Sequence, residues 1–251
     1  MKKENFKKAT MASIGRETGL SVTTVSRCIR YPDKVHPKTM RKIHKAMENS
    51  GYIYNAQAAR LSSHKSNTIG VLLPSTDHMA FAKTLMAIQK TAQVNNHSVF
   101  TFPYEFNPEL EKQCLLKALE WQVGGIITLG LSPQSQEYLL TTVKNETPLV
   151  VIWDVLPQSS INFIGFDNSK ATYQATNFMI SLGHKRIAVV TGPIQDVRVK
   201  KRYKGFVQAM KKAGLPIREE FCRSGLPTLE EGEVLGKELL TRTERPTAIM
   251  A

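Results

Sequence analysis

Between Thr10 and Arg30 the chain reads TMASIGRETGLSVTTVSRCIR, and Val22, Thr23, Ser26 and Arg27 fall on the first turns of a short helix opened by Ser21. These side chains can read base edges. An arginine bonds a guanine edge through two parallel hydrogen bonds, a threonine hydroxyl suits several bases, and the methyls of Val22 and Thr23 can touch a thymine methyl. Ser21, Thr24 and Ser26 carry short hydroxyls suited to phosphate oxygens, contacts that position a protein on DNA without specifying sequence. Ser21 also suits the N-cap of its helix. Such a helix reads bases only if a second helix presents it. The preceding residues supply one, joined to it by a tight turn at Gly19. The stretch therefore predicts a sequence-specific binder of duplex DNA.

The elements around this pair complete a small helical head. Thr10 caps a helix from Met11, with Ile14 facing inward; Val25 and Ile29 face inward from the next. Pro37 suits the first position of a third helix, PKTMRKIHKAMENSG, which ends at Gly51. Its Met40, Ile43 and Met47 recur at helical spacing. The sequence predicts a head over residues 1–54 and a linker over 55–66, NAQAARLSSHKS, marginal as an isolated helix. A larger domain follows over 67–251.

Charge follows the same division. The 251 residues carry a formal net charge of +13. Residues 1–67 hold 14 Lys and Arg against 4 Asp and Glu, whereas the remainder holds 20 against 17. A basic head on a nearly neutral body is the electrostatic footprint of a polyanion binder. Cys28, Cys114 and Cys222 show no Cys-x-x-Cys spacing, which predicts reduced thiols and no metal site. The basic start MKKENFKKAT is followed by no apolar run of signal-peptide type, and no stretch approaches membrane-spanning length. A cytoplasmic, nucleoid-associated protein is expected.

From Asn67 onward, apolar runs alternate with amphipathic stretches. TIGVLLP (68–74), SVFTF (98–102), GIITLG (125–130), PLVVIWD (148–154), NFIGFD (162–167) and RIAVVTG (186–192) read as strands, with EEFCRS strand-like. Helices are predicted between them, including a long one from Ser169 to Leu182 and another around Lys200–Ala213. The βαβα alternation predicts a mostly parallel, doubly wound sheet. Its continuous apolar runs fit strands covered on both faces. Small ligands bind at the loops that follow such strands. The chain stops at TAIMA, which reads as the start of a strand, so the second lobe is expected to be incomplete and the chain truncated.

Thr10 to Arg27 fits T-x-x-x-I-x-x-x-x-G-L-S-x-x-T-V-S-R, and Tyr52 to Leu61 fits Y-I-x-N-x-x-A-x-x-L. With FDNSKATYQATNFMISLGHKRIAVVTGP (166–193) and RYKGFVQAMKKAGL (202–215), these segments resemble the LacI/GalR family of bacterial transcription repressors over essentially the whole chain. RYPDKV (30–35), IGVLLPSTDHMAFAKTLMAIQ (69–89) and IGFDN (164–168) are most similar to the gluconate and idonate operon repressors within it. The resemblance implies an α/β architecture: an all-α helix-turn-helix head, then a periplasmic-binding-protein-like, doubly wound parallel body in two lobes. It also implies a homodimer on double-stranded operator DNA, controlled by a small sugar or sugar-acid effector such as gluconate.

The resemblance assigns residues as well. Val22 and Thr23 fall at the two variable positions that select the operator. Leu61 matches the leucine that wedges into the minor groove, with Asn55 and Ala58 on the same segment. Three positions depart from the family pattern: Arg60 immediately precedes Leu61, Tyr54 stands where Pro is frequent, and His36 where a Ser N-cap is frequent. For the effector the resemblance points to Asp154 and Arg202, with Ser75, His78 and Phe81 after the first strand of the body. Asp167 and Asn168 are expected to organise the turn before the long helix, and His184 to be a turn residue. No nucleophile–base set, phosphate-binding glycine loop or cofactor motif is present, so no enzyme is expected. The competing readings are a sugar-binding protein of the same body fold without operator function, and a non-functional fragment of such a regulator.

Overall fold

The computed structural model describes residues 9–54, 66–141, 147–155 and 160–251. The chain divides between His64 and Lys65 into two compact units.

The first unit holds α1 (Met11–Thr18), α2 (Val22–Arg30) and α3 (Pro37–Ser50), with a 3₁₀ turn at Pro32–Lys34. Local chemistry sets each boundary. Thr10 Oγ1 accepts the Ser13 amide at 3.1 Å while the Thr10 amide donates to Ser13 Oγ at 2.9 Å, closing a capping box. Gly19, at φ 64°, ends α1. Ser21 Oγ accepts the Thr24 amide at 3.1 Å to start α2. At the head of α3 the histidine ring takes over the capping role, His36 Nδ1 accepting the Lys38 amide at 3.3 Å. Ile14, Val25, Cys28, Ile43 and Ala46 form the core that holds the three helices together.

The second unit carries two parallel sheets. The first has the order β2-β1-β3-β4-β5, built from β1 (Thr68–Leu73), β2 (Ser98–Pro103), β3 (Gly125–Leu129), β4 (Leu149–Ile152) and β5 (Asn162–Ile164). Helices α4 (Met79–Val94), α5 (Pro108–Glu120) and α6 (Pro133–Thr141) connect its strands. The second sheet has the order β7-β6-β8, with β6 (Ile187–Thr191), β7 (Cys222–Ser224) and β8 (Ala248–Met250). Its helices are α7 (Asn168–Ser181), α8 (Val197–Lys212) and α9 (Leu229–Leu240). Buried Leu72 and Ile126 pack on α5, whereas Val71, Leu73 and Leu129 pack on Phe81 of α4. Covering both faces in this way is why these strands read as continuous apolar runs.

Strand order reverses at β1, which has β2 on one side and β3 on the other, and again at β6. Crevices open at the carboxyl ends of such strands. Two local expectations change. EEFCRS begins as a 3₁₀ turn at Glu219–Phe221 and only Cys222–Ser224 pairs as strand. PLVVIWD leaves the sheet after Ile152, because Trp153 takes φ 68°, a left-handed conformation that breaks extended pairing. Among the described residues no helix is long and apolar enough to cross a membrane.

Candidate functional site

Two sites emerge, one in each unit. In the head, Val22, Thr23 and Arg27 are exposed on one face of α2, and Thr24 and Ser26 are half-buried beside them. The opposite face supplies Val25 and Cys28 to the core, so packing fixes which side chains remain outward. Val22, the first residue of α2, keeps 46% of its surface free. Arg27 forms no ion pair among the described residues. Ser21 Oγ also lies 2.9 Å from Thr24 Oγ1, so these two hydroxyls are joined at the helix start. Arg30 Nε donates to the Tyr54 hydroxyl at 3.1 Å, tying the end of α2 to the segment after α3. The tyrosine that replaces a frequent proline thus anchors the chain where it leaves the head. Asn55, Ala58 and Leu61 lie outside the described residues.

In the second unit a cavity of about 340 Å³ opens at the carboxyl ends of β1 and β6. That is the size range of small-ligand pockets. One wall is aromatic. Phe81 sits 4.7 Å from the His78 ring, 5.4 Å from Trp153 and 6.2 Å from Phe106, centroid to centroid. Flat apolar faces of this kind suit the C–H faces of a sugar. His78 Nδ1 is buried and has no hydrogen-bond partner among the described residues.

The opposite wall is charged. Asp196 caps α8, its Oδ1 accepting the Arg198 amide at 2.8 Å. It also receives both arms of the Arg198 guanidinium, Nε at 3.1 Å and Nη2 at 2.6 Å. Arg198 is 3% exposed and its Cζ stands 5.4 Å from the Phe81 centroid. Gly130 makes room for it: a Cβ there would lie 3.2 Å from Arg198 Nε, on a backbone at φ 89°. One turn further along α8, Arg202 is exposed and donates from Nη1 to Asn168 Oδ1 at 3.0 Å. Burial pushes the Asp196 carboxyl up, but the hydrogen bonds and charge of Arg198 outweigh it and hold the group below the usual carboxylate range. Desolvation and the like charge of Arg198 draw the Arg202 guanidinium below its ordinary value. Arg202 has no carboxylate partner among the described residues.

His78, Phe81 and Arg202, predicted from sequence, meet in this cavity; Ser75 and Asp154 are not among its lining residues. Ser75 Oγ accepts the Asp77 amide at 3.1 Å. Asp154 is fully buried behind the wall, accepting from Lys201 Nζ at 2.6 Å and Asn168 Nδ2 at 3.2 Å. Asp167 caps α7, its Oδ1 accepting the Ser169 and Lys170 amides at 2.9 and 3.0 Å. His184 follows α7 and its Nδ1 lies 3.1 Å from Thr247 Oγ1. Sequence reasoning missed Asp196, Arg198, Phe106 and Trp153. The signal for two of them was present: an Asp N-cap two residues before an arginine, and a second arginine four positions on, put both guanidinium groups on one helix face. A second pocket, about 520 Å³, is walled by Ile69, Ala87, Ile88, Ala92 and Ile127 with Thr91, Asn95 and His97, and offers no charged group to orient a ligand.

Residues 10–55 match the family described as "Bacterial regulatory proteins, lacI family", and residues 66–251 match "Periplasmic binding proteins and sugar binding domain of LacI family". The chain is 30% identical over 241 residues to catabolite control protein A of Priestia megaterium, spanning 96% of this chain and 72% of that protein. It is 32% identical over 209 residues to the HTH-type transcriptional regulator GntR of Escherichia coli (strain K12), spanning 83% of this chain and 62% of that one. Its fold superimposes with a TM-score of 0.77 on the lac repressor dimer bound to operator and the anti-inducer ONPF, at 27% identity, covering 97% of this chain and 73% of the other. These relatives are regulators and not enzymes. The chain belongs to the LacI family of bacterial regulatory proteins.

Proposed function

We propose that this protein is a cytoplasmic repressor of a carbohydrate-utilisation operon, binding operator DNA as a homodimer and released by a small sugar acid of the gluconate type. The head reads the operator: Val22, Thr23 and Arg27 contact base edges, while Ser21, Thr24 and Ser26 bond phosphates. Asn55, Ala58 and Leu61 contact the DNA from the linker, with Leu61 as the minor-groove wedge. The lac repressor structure, a dimer on operator, supports the assembly.

One observation carries the choice of effector. The cavity combines a wall of aromatic faces with Arg202, a cation that has no carboxylate partner among the described residues, next to an Arg198–Asp196 pair already balanced in charge. A ligand with hydroxyls and one carboxylate completes that set, because the guanidinium fork matches a carboxylate. His78 offers a further hydrogen bond. Effector and operator are then linked: the acid binds better to one arrangement of the two lobes, and that arrangement binds DNA less well. Calorimetry with sodium D-gluconate, D-glucose and D-glucitol tests the ligand class. Duplexes selected on the protein from a random pool, bound with and without gluconate, test the linkage. Gluconate is expected to bind best and to weaken DNA binding. Tighter binding of the neutral compounds, or DNA affinity unmoved by saturating gluconate, would overturn the reading.

A further inference from the structure

Lys201 lies on α8 between Arg198 and Arg202 yet lines no part of the cavity. Its Nζ donates to Asp154 Oδ2 at 2.6 Å and to the Val155 carbonyl at 3.0 Å. Asp154 has no solvent contact, whereas the Lys201 side chain is 29% exposed. On its other oxygen, Asp154 accepts from Asn168 Nδ2 at 3.2 Å, and Asn168 Oδ1 accepts from Arg202 at 3.0 Å. A continuous line of contacts therefore runs from Lys201 through Asp154 and Asn168 to Arg202. The negative charge of Asp154 is felt at both cavity arginines.

The charges pair off along this line. Asp196 balances Arg198, and Lys201 balances Asp154, so the charge of Arg202 is left over. Without Lys201, the buried carboxylate one amide away from Arg202 would balance Arg202 instead, and the cavity would lose its attraction for an anion.

We propose that Lys201 is a specificity-determining positioning residue: by neutralising Asp154 it leaves the Arg202 charge for the ligand and makes the cavity select a carboxylate over the corresponding polyol. This rests on the sugar-acid reading above. Lys201 touches no ligand; it acts through the charge of Asp154.

The test uses the full chain and calorimetry with two probes, sodium D-gluconate and D-glucitol, which carries a hydroxymethyl group in place of the carboxylate. Lys201→Met weakens gluconate about tenfold relative to glucitol. Asp154→Asn, which leaves Lys201 cationic, tightens gluconate. The double variant Asp154→Asn/Lys201→Met returns to the wild-type preference, and Lys201→Arg keeps it. A merely structural role would weaken both probes alike and would not reverse sign between the two single variants. Equal loss of both probes in Lys201→Met, or weaker gluconate binding in Asp154→Asn, overturns the proposal and leaves the sugar-acid reading standing. Should Lys201→Met fail to fold by circular dichroism, Asp154→Asn and the isosteric double variant decide alone. A wild-type chain that binds both probes equally, prefers glucitol or binds neither overturns the sugar-acid reading itself, and the proposal falls with it.

Discussion

Single side chains carry both sites, and each has its own signature. Arg27 stands exposed at the end of the outward face of α2. If it pairs with a guanine, Arg27→Ala costs about 1–3 kcal/mol on the best duplex and relaxes preference at one base pair. Affinity profiles over single-base variants check this; a uniform loss across all sequences would make Arg27 a phosphate contact. Asp196 shows how a cavity wall is also a stability element. Its folded-state pKa is depressed, so its contribution is present above the unfolded value of about 3.9 and is lost as pH falls through the lower folded value. Asp196→Asn leaves the guanidinium of Arg198 buried without a counter-charge and destabilises the body by about 3 kcal/mol at neutral pH. The difference from wild type shrinks as pH falls below about 4, where the unfolded carboxylate takes up a proton that the native one still refuses, and it is gone once pH falls below the lower folded value. Urea melts at neutral and acid pH measure the change.

At the level of helices, the crossing of α7 and α8 positions the polar wall. Gly205 is the point of closest approach: a Cβ there would lie 2.1 Å from the Ser169 carbonyl oxygen. Ser169 follows Asn168, and Gly205 lies one turn beyond Arg202, so the tight crossing is what brings Asn168 within 3.0 Å of Arg202. Gly205→Ala forces the helices apart and costs about 1–3 kcal/mol of stability. It also weakens binding of an acidic ligand, by calorimetry, although residue 205 does not line the cavity of Phe81 and Arg202. Much at this level was legible in the sequence. Thr10, Ser21 and Gly19 mark helix ends through short-range hydrogen bonds and backbone freedom, which depend on residues three or four apart. Arg198 showed its helix face but not what lies across the fold from it, and the role of Lys201 was not legible at all. They sit in the run RVKKRYK, where helical phase is uniform in charge, and the groups that sort them come from far along the chain: Phe81, Gly130 and Asp154. The turn at Trp153 was invisible for a related reason, since nothing local favours a left-handed tryptophan. That turn takes Asp154 out of the strand and behind the wall.

Over the whole molecule, the uneven charge sets how the protein meets DNA. Most of the net +13 lies in the first 67 residues, and the body is close to neutral. Association is therefore expected to fall steeply with salt, by about one unit of slope in log K against log salt for each phosphate neutralised, while effector binding responds far less. Titrations of a labelled duplex at several salt concentrations, alongside gluconate titrations in the same buffers, give both slopes. Equal slopes would mean that few phosphates are neutralised and would overturn the expectation. The composition alone makes this division legible, because net charge sums over residues whatever their contacts. The pairing of charges within the body was not legible in that sum, since Asp196 with Arg198 and Asp154 with Lys201 leave no trace in it.

The chain has two tryptophans, and they occupy contrasting surroundings. Trp121 is half exposed, edge-on to Phe100 at 5.6 Å, and is not among the residues that line the cavity. Trp153 forms part of the cavity wall beside Phe81. The protein therefore carries its own optical gauge. In Trp121→Phe, all indole emission comes from a ring that lines the proposed effector cavity, so intensity and wavelength are expected to follow its occupancy. Light from one residue would then report cavity occupancy while a label on the duplex reports departure from DNA, in the same cuvette and on the same molecules.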